Sequence, residues 1–337
     1  MSLKQLSSEM LPAIEAELQR QAARLDEKHT QSFHQMLTYH MGWTGEGAGP
    51  GATGKRIRPL MLLLVAAGCE NKWLHAISGA AAIELVHNFS LVHDDIQDNS
   101  EKRRGRPTAW TIWGAPMAIN LGDALFVISN QAIMDLQAHY PAETVVKAAS
   151  VLHNTCLDLT RGQFLDMAYE ERTDVSVEDY WPMIAGKTAS LLSAACYIGA
   201  ILGGADEATQ DAYRSFGHAL GLAFQVQDDI LGIWGDEAVT GKSAASDLLE
   251  GKKSLPVLFG LSKNGPFRER WLAGPIQADE VEQVARMLAN EGAYEQTYAL
   301  SEQMTLMALN NLREADPKGP AGDALMELAN KLLKREQ

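Results

Sequence analysis

The sequence is short of cysteine. Its three thiols, Cys69, Cys156 and Cys196, lie far apart among 337 residues. No spacing suits a structural metal or a disulfide framework, so reduced, buried thiols in a cytoplasmic protein are expected. Basic charge is scarce too. Against 29 Lys and Arg stand 43 Asp and Glu, a net charge of −14. That argues against a nucleic-acid partner, which calls for a basic surface. A local basic pocket remains compatible with the negative whole. Long apolar runs are also missing. The longest, such as residues 60–68 and 76–83, fall short of the roughly 20 residues that cross a membrane, so no integral membrane segment is expected. The first residues, MSLKQLSSEMLPAIEAELQR, lack the apolar centre of a signal peptide and read as an amphipathic helix.

Strand-like alternation is scarce, and no series of β-hairpins stands out. Ala, Leu, Glu and Met are plentiful instead, with apolar residues three and four apart. The spacing predicts helices over Ser7–Tyr39, Arg58–Ala67, Leu74–Asp98, Met117–Gln137, Ala142–Arg172, Val177–Ile184, Lys187–Leu202 and Ala208–Trp234. Further helices are predicted over Ser254–Leu261, Ala278–Ala289, Ala293–Glu314 and Ala321–Lys334. The stretch Lys187–Gly204 is apolar nearly all round, as in a helix buried within a bundle. Thr44–Gly54 reads as a flexible glycine-rich loop, but helix follows at once and no linker separates two cores. We expect one all-α domain over residues 1–337, a large bundle of mostly antiparallel helices.

Two aspartate clusters follow apolar helical stretches. The first holds Asp94, Asp95 and Asp98; the second holds Asp228 and Asp229, with Asp236 farther on. On a helix Asp94 and Asp98 are one turn apart, roughly 6 Å along the axis. Their carboxylates repel by about 3 kcal/mol at an effective dielectric near 20. A helix C-terminus disfavours the charge by roughly another 0.3–1 kcal/mol. Divalent cations reverse both signs. Carboxylates without histidine or cysteine suit a hard cation, and Mg2+ fits best. A single cluster is equally an acidic helix end in solvent; two of them favour bound cations.

Separate positive groups are present. TGKRIRP carries Lys55, Arg56 and Arg58; Arg103 and Arg104 follow the first cluster; Lys187 opens an apolar stretch; Lys242 and Lys252 follow the second cluster. Arginine binds phosphate through a planar fork and lysine as a compact charge. TGKRIRP lacks the spacing of a P-loop, and each basic group taken alone is equally a solvated charge. Together, carboxylates, basic groups and apolar helices suit two diphosphates and a hydrocarbon. The chemistry implied is departure of an allylic diphosphate and attack by an alkene.

In this order the motifs resemble the trans-isoprenyl diphosphate synthases of the polyprenyl synthetase family. The resemblance rests on GKRIRP at Gly54–Pro59, DDIQDNSEKRRGRPT at Asp94–Thr108, GQFLD at Gly162–Asp166 and Lys187-Thr188. It continues through FQVQDD at Phe224–Asp229, Gly241-Lys242 and DLLEGKKSLP at Asp247–Pro256. One departure stands out: the second motif commonly reads DDxxD, and here Gly232 takes the last position.

The resemblance implies an isoprenoid synthase fold around a central substrate cavity, and a homodimer. Asp94, Asp98 and Asp228 would hold Mg2+, with Asp95 and Asp229 behind them. Arg103, Lys187, Lys242 and Lys252 would meet the allylic diphosphate. Lys55, Arg58, His87 and Arg104 would meet isopentenyl diphosphate. Thr188, Gln225 and the Lys187 carbonyl would face the carbocation. In the family, bulk four and five residues before the first aspartate sets the tunnel floor. Ser90 and Phe89 stand there, with Val86 one turn deeper, a pattern resembling geranylgeranyl diphosphate producers. Farnesyl or longer products stay open, as do a class I terpene cyclase and a non-catalytic synthase subunit.

Overall fold

The computed structural model describes residues 2–69, 72–235 and 245–333. Helices make up nearly all of its regular structure, and the strands are confined to one two-residue pair. The all-α expectation holds. Packing divides the chain into two compact units: Met1–Asn154 with Ala194–Gln210 and Asp316–Leu325, and Thr155–Ser193 with Asp211–Ala315 and Met326–Gln337.

In the first unit the Ile77–Gln97 helix packs on Leu3–Ala22, Ile57–Gly68 and, most extensively, Ala115–Met134. Its start is built of small and branched residues. Ala80, Ala81, Ala82, Ile83, Leu85 and Val86 are fully buried, and Glu84, His87, Asn88 and Ser90 bring polar groups into the helix before Asp94. It stops at Asp98, whose φ of −86° and ψ of 2° leave the helical range, and Asn99 follows at φ +51°.

In the second unit Tyr180, Met183, Ile184, Val226, Leu255 and Leu258 form one core cluster. Phe267, Val257, Val284 and Leu288 belong to another. Phe267 is wholly buried, and truncating such an aromatic to alanine costs about 3–5 kcal/mol. The Val177–Ile184 helix begins with a reciprocal cap. Ser176 Oγ accepts from Asp179 N at 3.2 Å, and Asp179 Oδ2 accepts from Ser176 N at 3.0 Å.

The structure departs from the sequence reading in several places. The single helix expected over Ser7–Tyr39 is two, Leu3–Ala22 and Gln31–His40, with a 3-10 turn at Ala23–Leu25. The polar run Asp26–Ser32 offers no apolar residue to bury. Thr30 Oγ1 instead donates to Leu25 O at 2.8 Å and closes the bend. Lys187 does not open a helix: it lies inside a π-helical stretch, Ala185–Ala189, that joins Val177–Ile184 to Ser190–Leu202.

The Thr44–Gly54 stretch is held rather than loose. The Arg106 guanidinium donates to the carbonyls of Tyr39, Thr44 and Glu46 at 2.7–2.9 Å. A short antiparallel ribbon, Lys102–Arg103 with Arg106–Pro107, turns at Arg104 (φ +52°) and Gly105 (φ +75°). Two positive φ values suit a tight hairpin of the right-handed twist. Two helical stretches, Ala115–Ala138 and Val177–Leu202, are long and apolar enough to cross a membrane by length and composition. Counting unbroken apolar runs missed them, because scattered polar residues interrupt each. In Val177–Leu202, 72% of the apolar window is buried within the protein, as for a core helix.

Candidate active site

The first unit assembles acidic and basic groups around the end of the Ile77–Gln97 helix. Asp98 N donates to Asp94 O at 2.9 Å, which keeps the two aspartates in the last turn. The Asp94 side chain is 23% exposed, and Asp98 lies in solvent. Asp95 points the other way and is 2% exposed. Its Oδ1 accepts from Arg103 Nε at 2.8 Å, and Arg103 Nη2 lies 2.7 Å from the same oxygen. Arg103 Nη2 is also 3.6 Å from Asp94 Oδ2. The hairpin therefore lays Arg103 against the aspartate cluster. Burial pushes the Asp95 carboxyl up, and the Arg103 hydrogen bond opposes the rise.

The basic side lies in the same unit. Arg58 Nη1 is 3.4 Å from His87 Nε2. Burial holds the His87 imidazole well below its ordinary pKa, and Arg58 and Arg104 add to the effect. Arg104 Nη1 donates to Ala52 O at 2.8 Å, and its guanidinium rests on Gly54, where a Cβ would come within 2.6 Å. Arg104 and the exposed Lys55 are thus neighbours. The two arginines of GKRIRP have different fates. Arg56 is buried and left-handed (φ +49°), donating to Glu15 Oε1 at 2.6 Å and Glu84 Oε1 at 2.8 Å. It anchors the loop, and Arg58 remains for the site. Glu84, which holds Arg56, and Arg106, which holds the preceding loop, carry no local motif that would single them out. Burial, with help from Arg103 and Arg104, lowers His40 to about 3.

One turn deeper on the same helix, Ser90 Oγ donates to His87 O at 2.8 Å. Phe89 packs on His93 and on Phe126, each with centroids 5.2 Å apart. Val86 is fully buried.

The second unit carries the other cluster on the Glu207–Trp234 helix. Asp229 is 1% exposed and accepts three hydrogen bonds. Tyr180 OH donates at 2.8 Å, Leu255 N at 2.9 Å and Gln225 Nε2 at 2.9 Å. Gln225 Oε1 in turn accepts from Thr188 Oγ1 at 2.8 Å. Asp228 is half-buried beside it. Lys187 forms an ion pair with Asp166. Gly162 explains how: a Cβ there would lie 2.1 Å from Lys187 N, so only glycine admits the π-helical stretch this close. Asp166, one turn on, then reaches the ammonium. Lys252 Nζ is 3.9 Å from Asp247 Oδ2. Burial lowers the Lys252 pKa, but Asp229, Asp247, Asp166 and Asp228 outweigh it and the group is raised overall. Lys242 and Asp236 lie outside the described residues.

Among the described residues, no three His, Cys, Asp or Glu side chains converge closely enough to cage a metal. Oxygen-only donors in ones and twos suit Mg2+, which takes one or two carboxylates and completes its shell with water and substrate phosphate.

An all-α protein with carboxylates at two buried helices and basic groups beside them defines a class that handles diphosphates. The polyprenyl synthetase family profile matches residues 49–290, and the chain belongs to that family. It is therefore a prenyltransferase. A farnesyl diphosphate synthase of Mycobacterium tuberculosis is 36% identical over 330 residues, 95% of this chain and 89% of the relative. A geranylgeranyl diphosphate synthase of the same organism is 44% identical over 229 residues, 67% of this chain and 65% of the relative. The crystal structure of a polyprenyl synthetase from Streptomyces coelicolor superposes with a TM-score of 0.87 at 34% identity, covering 98% of this chain and 99% of that one.

Proposed function

We propose that this protein joins isopentenyl diphosphate head-to-tail to an allylic diphosphate and releases geranylgeranyl diphosphate. The observation that carries the product length is Phe89. It stands five residues before Asp94, braced by Phe126 and His93, beside the small Ser90. An aromatic there closes the path of the growing chain one turn below the aspartates, and Ser90 leaves the first turn open.

Asp94, Asp98 and Asp228 would hold Mg2+, and the buried Asp95 and Asp229 fix the helical turns that present them. When bound, Mg2+ would supply positive charge to the leaving diphosphate. Arg103, Lys187, Lys242 and Lys252 add fixed positive charge to the same leaving group. Lys55, Arg58, His87 and Arg104 hold the second diphosphate, that of isopentenyl diphosphate. The Arg58–His87 and Arg104–Gly54 contacts support this grouping. The Thr188 and Gln225 oxygens and the Lys187 carbonyl face the allylic cation. The alkene attacks, a carbon–carbon bond forms, and the departing diphosphate takes the proton.

A terpene cyclase has no use for a second diphosphate site, so the basic group at Arg58, His87 and Arg104 favours condensation. Farnesyl diphosphate is the second reading, favoured by the relative that spans 95% of the chain. We further infer a homodimer, supported by the exposed Met117, Ile119, Val127 and Met134 on the Ala115–Met134 helix. The buried thiols of Cys156 and Cys196 support a reducing, cytoplasmic setting.

The test is a product assay. Purified protein with Mg2+ and isopentenyl diphosphate is given dimethylallyl, geranyl or farnesyl diphosphate, and products are weighed after dephosphorylation. A C20 alcohol is expected. Another linear chain overturns the length alone, and no elongation overturns the reaction.

A further inference from the structure

His40 ends the Gln31–His40 helix and carries a polar atom without a protein partner. The residue as a whole is half-buried, but Nε2 is shut off from solvent and no protein group bonds it. The ring also hydrogen-bonds the Asn88 backbone, in a bond that favours its protonated form. That bond therefore comes from Nδ1–H, and in the neutral imidazole Nε2 is an acceptor. Burial, with Arg103 and Arg104, keeps the ring neutral by lowering it to about 3. A buried acceptor without a donor is costly, and helix packing gives no reason for one here.

A small cavity of about 20 Å3 adjoins the ring, lined by His40, Asp95, Arg103, Arg104 and Arg106 among others. Two of its guanidinium groups are already engaged. Arg103 Nε and Nη2 both lie on Asp95 Oδ1, at 2.8 and 2.7 Å. Arg106 gives its nitrogens to the carbonyls of Tyr39, Thr44 and Glu46. Among the described residues Arg104 is committed through Nη1 alone, to Ala52 O at 2.8 Å, and the rest of its fork remains. A space above roughly 10–15 Å3 holds one water, given about two to four polar partners. His40 Nε2, the second oxygen of Asp95 and the Arg104 fork supply them.

We propose that His40 holds Arg104 through one internal water and so aims its guanidinium at the diphosphate of isopentenyl diphosphate. The inference rests on the reading of Arg104 as a group at that diphosphate. The water donates to His40 Nε2 and to Asp95, and accepts from Arg104. A bridging water is nearly as favourable as a direct hydrogen bond. His40 is a positioning residue and meets no substrate. The same water links Asp95, behind the first aspartates, to the arginine of the other diphosphate.

The experiment measures KM for isopentenyl and geranyl diphosphates separately, on the full chain with Mg2+. Circular dichroism reports folding. His40→Phe keeps a ring and removes the acceptor; His40→Gln returns an amide oxygen near the place of Nε2. His40→Phe should raise KM for isopentenyl diphosphate about tenfold, as for one lost hydrogen bond to a charged group, and change that for geranyl diphosphate less than about twofold. His40→Gln should recover most of the loss. In an Arg104→Ala background His40→Phe should add nothing, because the two act as a unit. An unchanged KM for isopentenyl diphosphate in folded His40→Phe overturns the proposal. So does an equal rise for both substrates, a Gln variant as poor as the Phe variant, or full additivity with Arg104→Ala. Should His40→Phe not fold, a crystal structure of the wild type decides. A water within about 3.2 Å of both His40 Nε2 and Arg104 supports the proposal, and its absence overturns it. Arg104→Ala separates the two readings. If its KM for isopentenyl diphosphate is that of the wild type, the reading of Arg104 fails; if that KM rises while that of His40→Phe does not, only the role of His40 fails.

Discussion

The Tyr180 hydroxyl donates to Asp229 Oδ2 at 2.8 Å, although 49 residues separate them in sequence. The bond ties the Val177–Ile184 helix to the aspartate cluster. Tyr180→Phe leaves a buried carboxylate one donor short and should cost about 1–3 kcal/mol in urea unfolding. Burial, reinforced by Asp229, raises the Tyr180 pKa well above the ordinary value. Its contribution is therefore complete below about pH 10, the unfolded value, and is lost as pH rises toward the folded value. The alkaline loss of stability should be shallower in Tyr180→Phe.

Acid should act through the buried histidines. His40 is lowered to about 3, below the unfolded value of roughly 6.5. A depressed pKa means that stability is present above 6.5 and is lost as pH falls through the window to 3. At pH 5 the loss from this residue is on the order of 2 kcal/mol. His40→Gln should flatten the acid limb of a denaturation profile; an unaltered limb would place the titration elsewhere.

Arg56 and Glu84 form an ion pair whose side chains are 2% and 4% exposed. Glu84→Ala takes one of two carboxylates from a buried guanidinium, leaving Glu15, and should cost about 1–3 kcal/mol, read by urea midpoint. Lys55→Ala, at an exposed position, should leave the midpoint in place and raise KM for isopentenyl diphosphate.

If Phe89 is the floor as proposed, Phe89→Ala should lengthen the product by at least one five-carbon unit. Phe126→Ala loosens the Phe89 ring from behind and should broaden the product distribution. Mass analysis of the dephosphorylated alcohols reads both. A C20 product unchanged by Phe89→Ala would sink the assignment of the floor.

On the proposed reading, Lys187→Ala removes fixed positive charge from beside the leaving diphosphate. A fall in kcat of about 10²–10³ is expected, with the fold intact by circular dichroism. Asp166→Asn should give a smaller loss, since the ammonium stays but its orientation is released. Equal turnover in Lys187→Ala would remove it from the site.

Periodicity made most helices legible, because apolar residues recur on one face wherever a helix buries that face. The break at Asp26–Ser32 was hidden by good helix formers such as Glu27 and Lys28, whose local preference a missing buried face overrides. The motifs made the aspartate and arginine groups visible, and the resemblance set Arg58, not Arg56, at a diphosphate. What Arg56 does instead depends on the placement of Glu15 and Glu84, which no local pattern shows.

The π-helical stretch at Ala185–Ala189 is in effect one residue too many in a long helix. Each extra residue turns everything beyond it by about 100°. The segment beyond, Ser190–Leu202, is apolar on nearly every side and loses little by such a rotation. The polar residues inside the stretch gain from it, since Lys187 meets Asp166 while its neighbour Thr188 meets Gln225. A single-residue deletion here is thus a frameshift in three dimensions. It would leave the helix intact and its hydrophobic surroundings forgiving, yet point both side chains at the wrong neighbours.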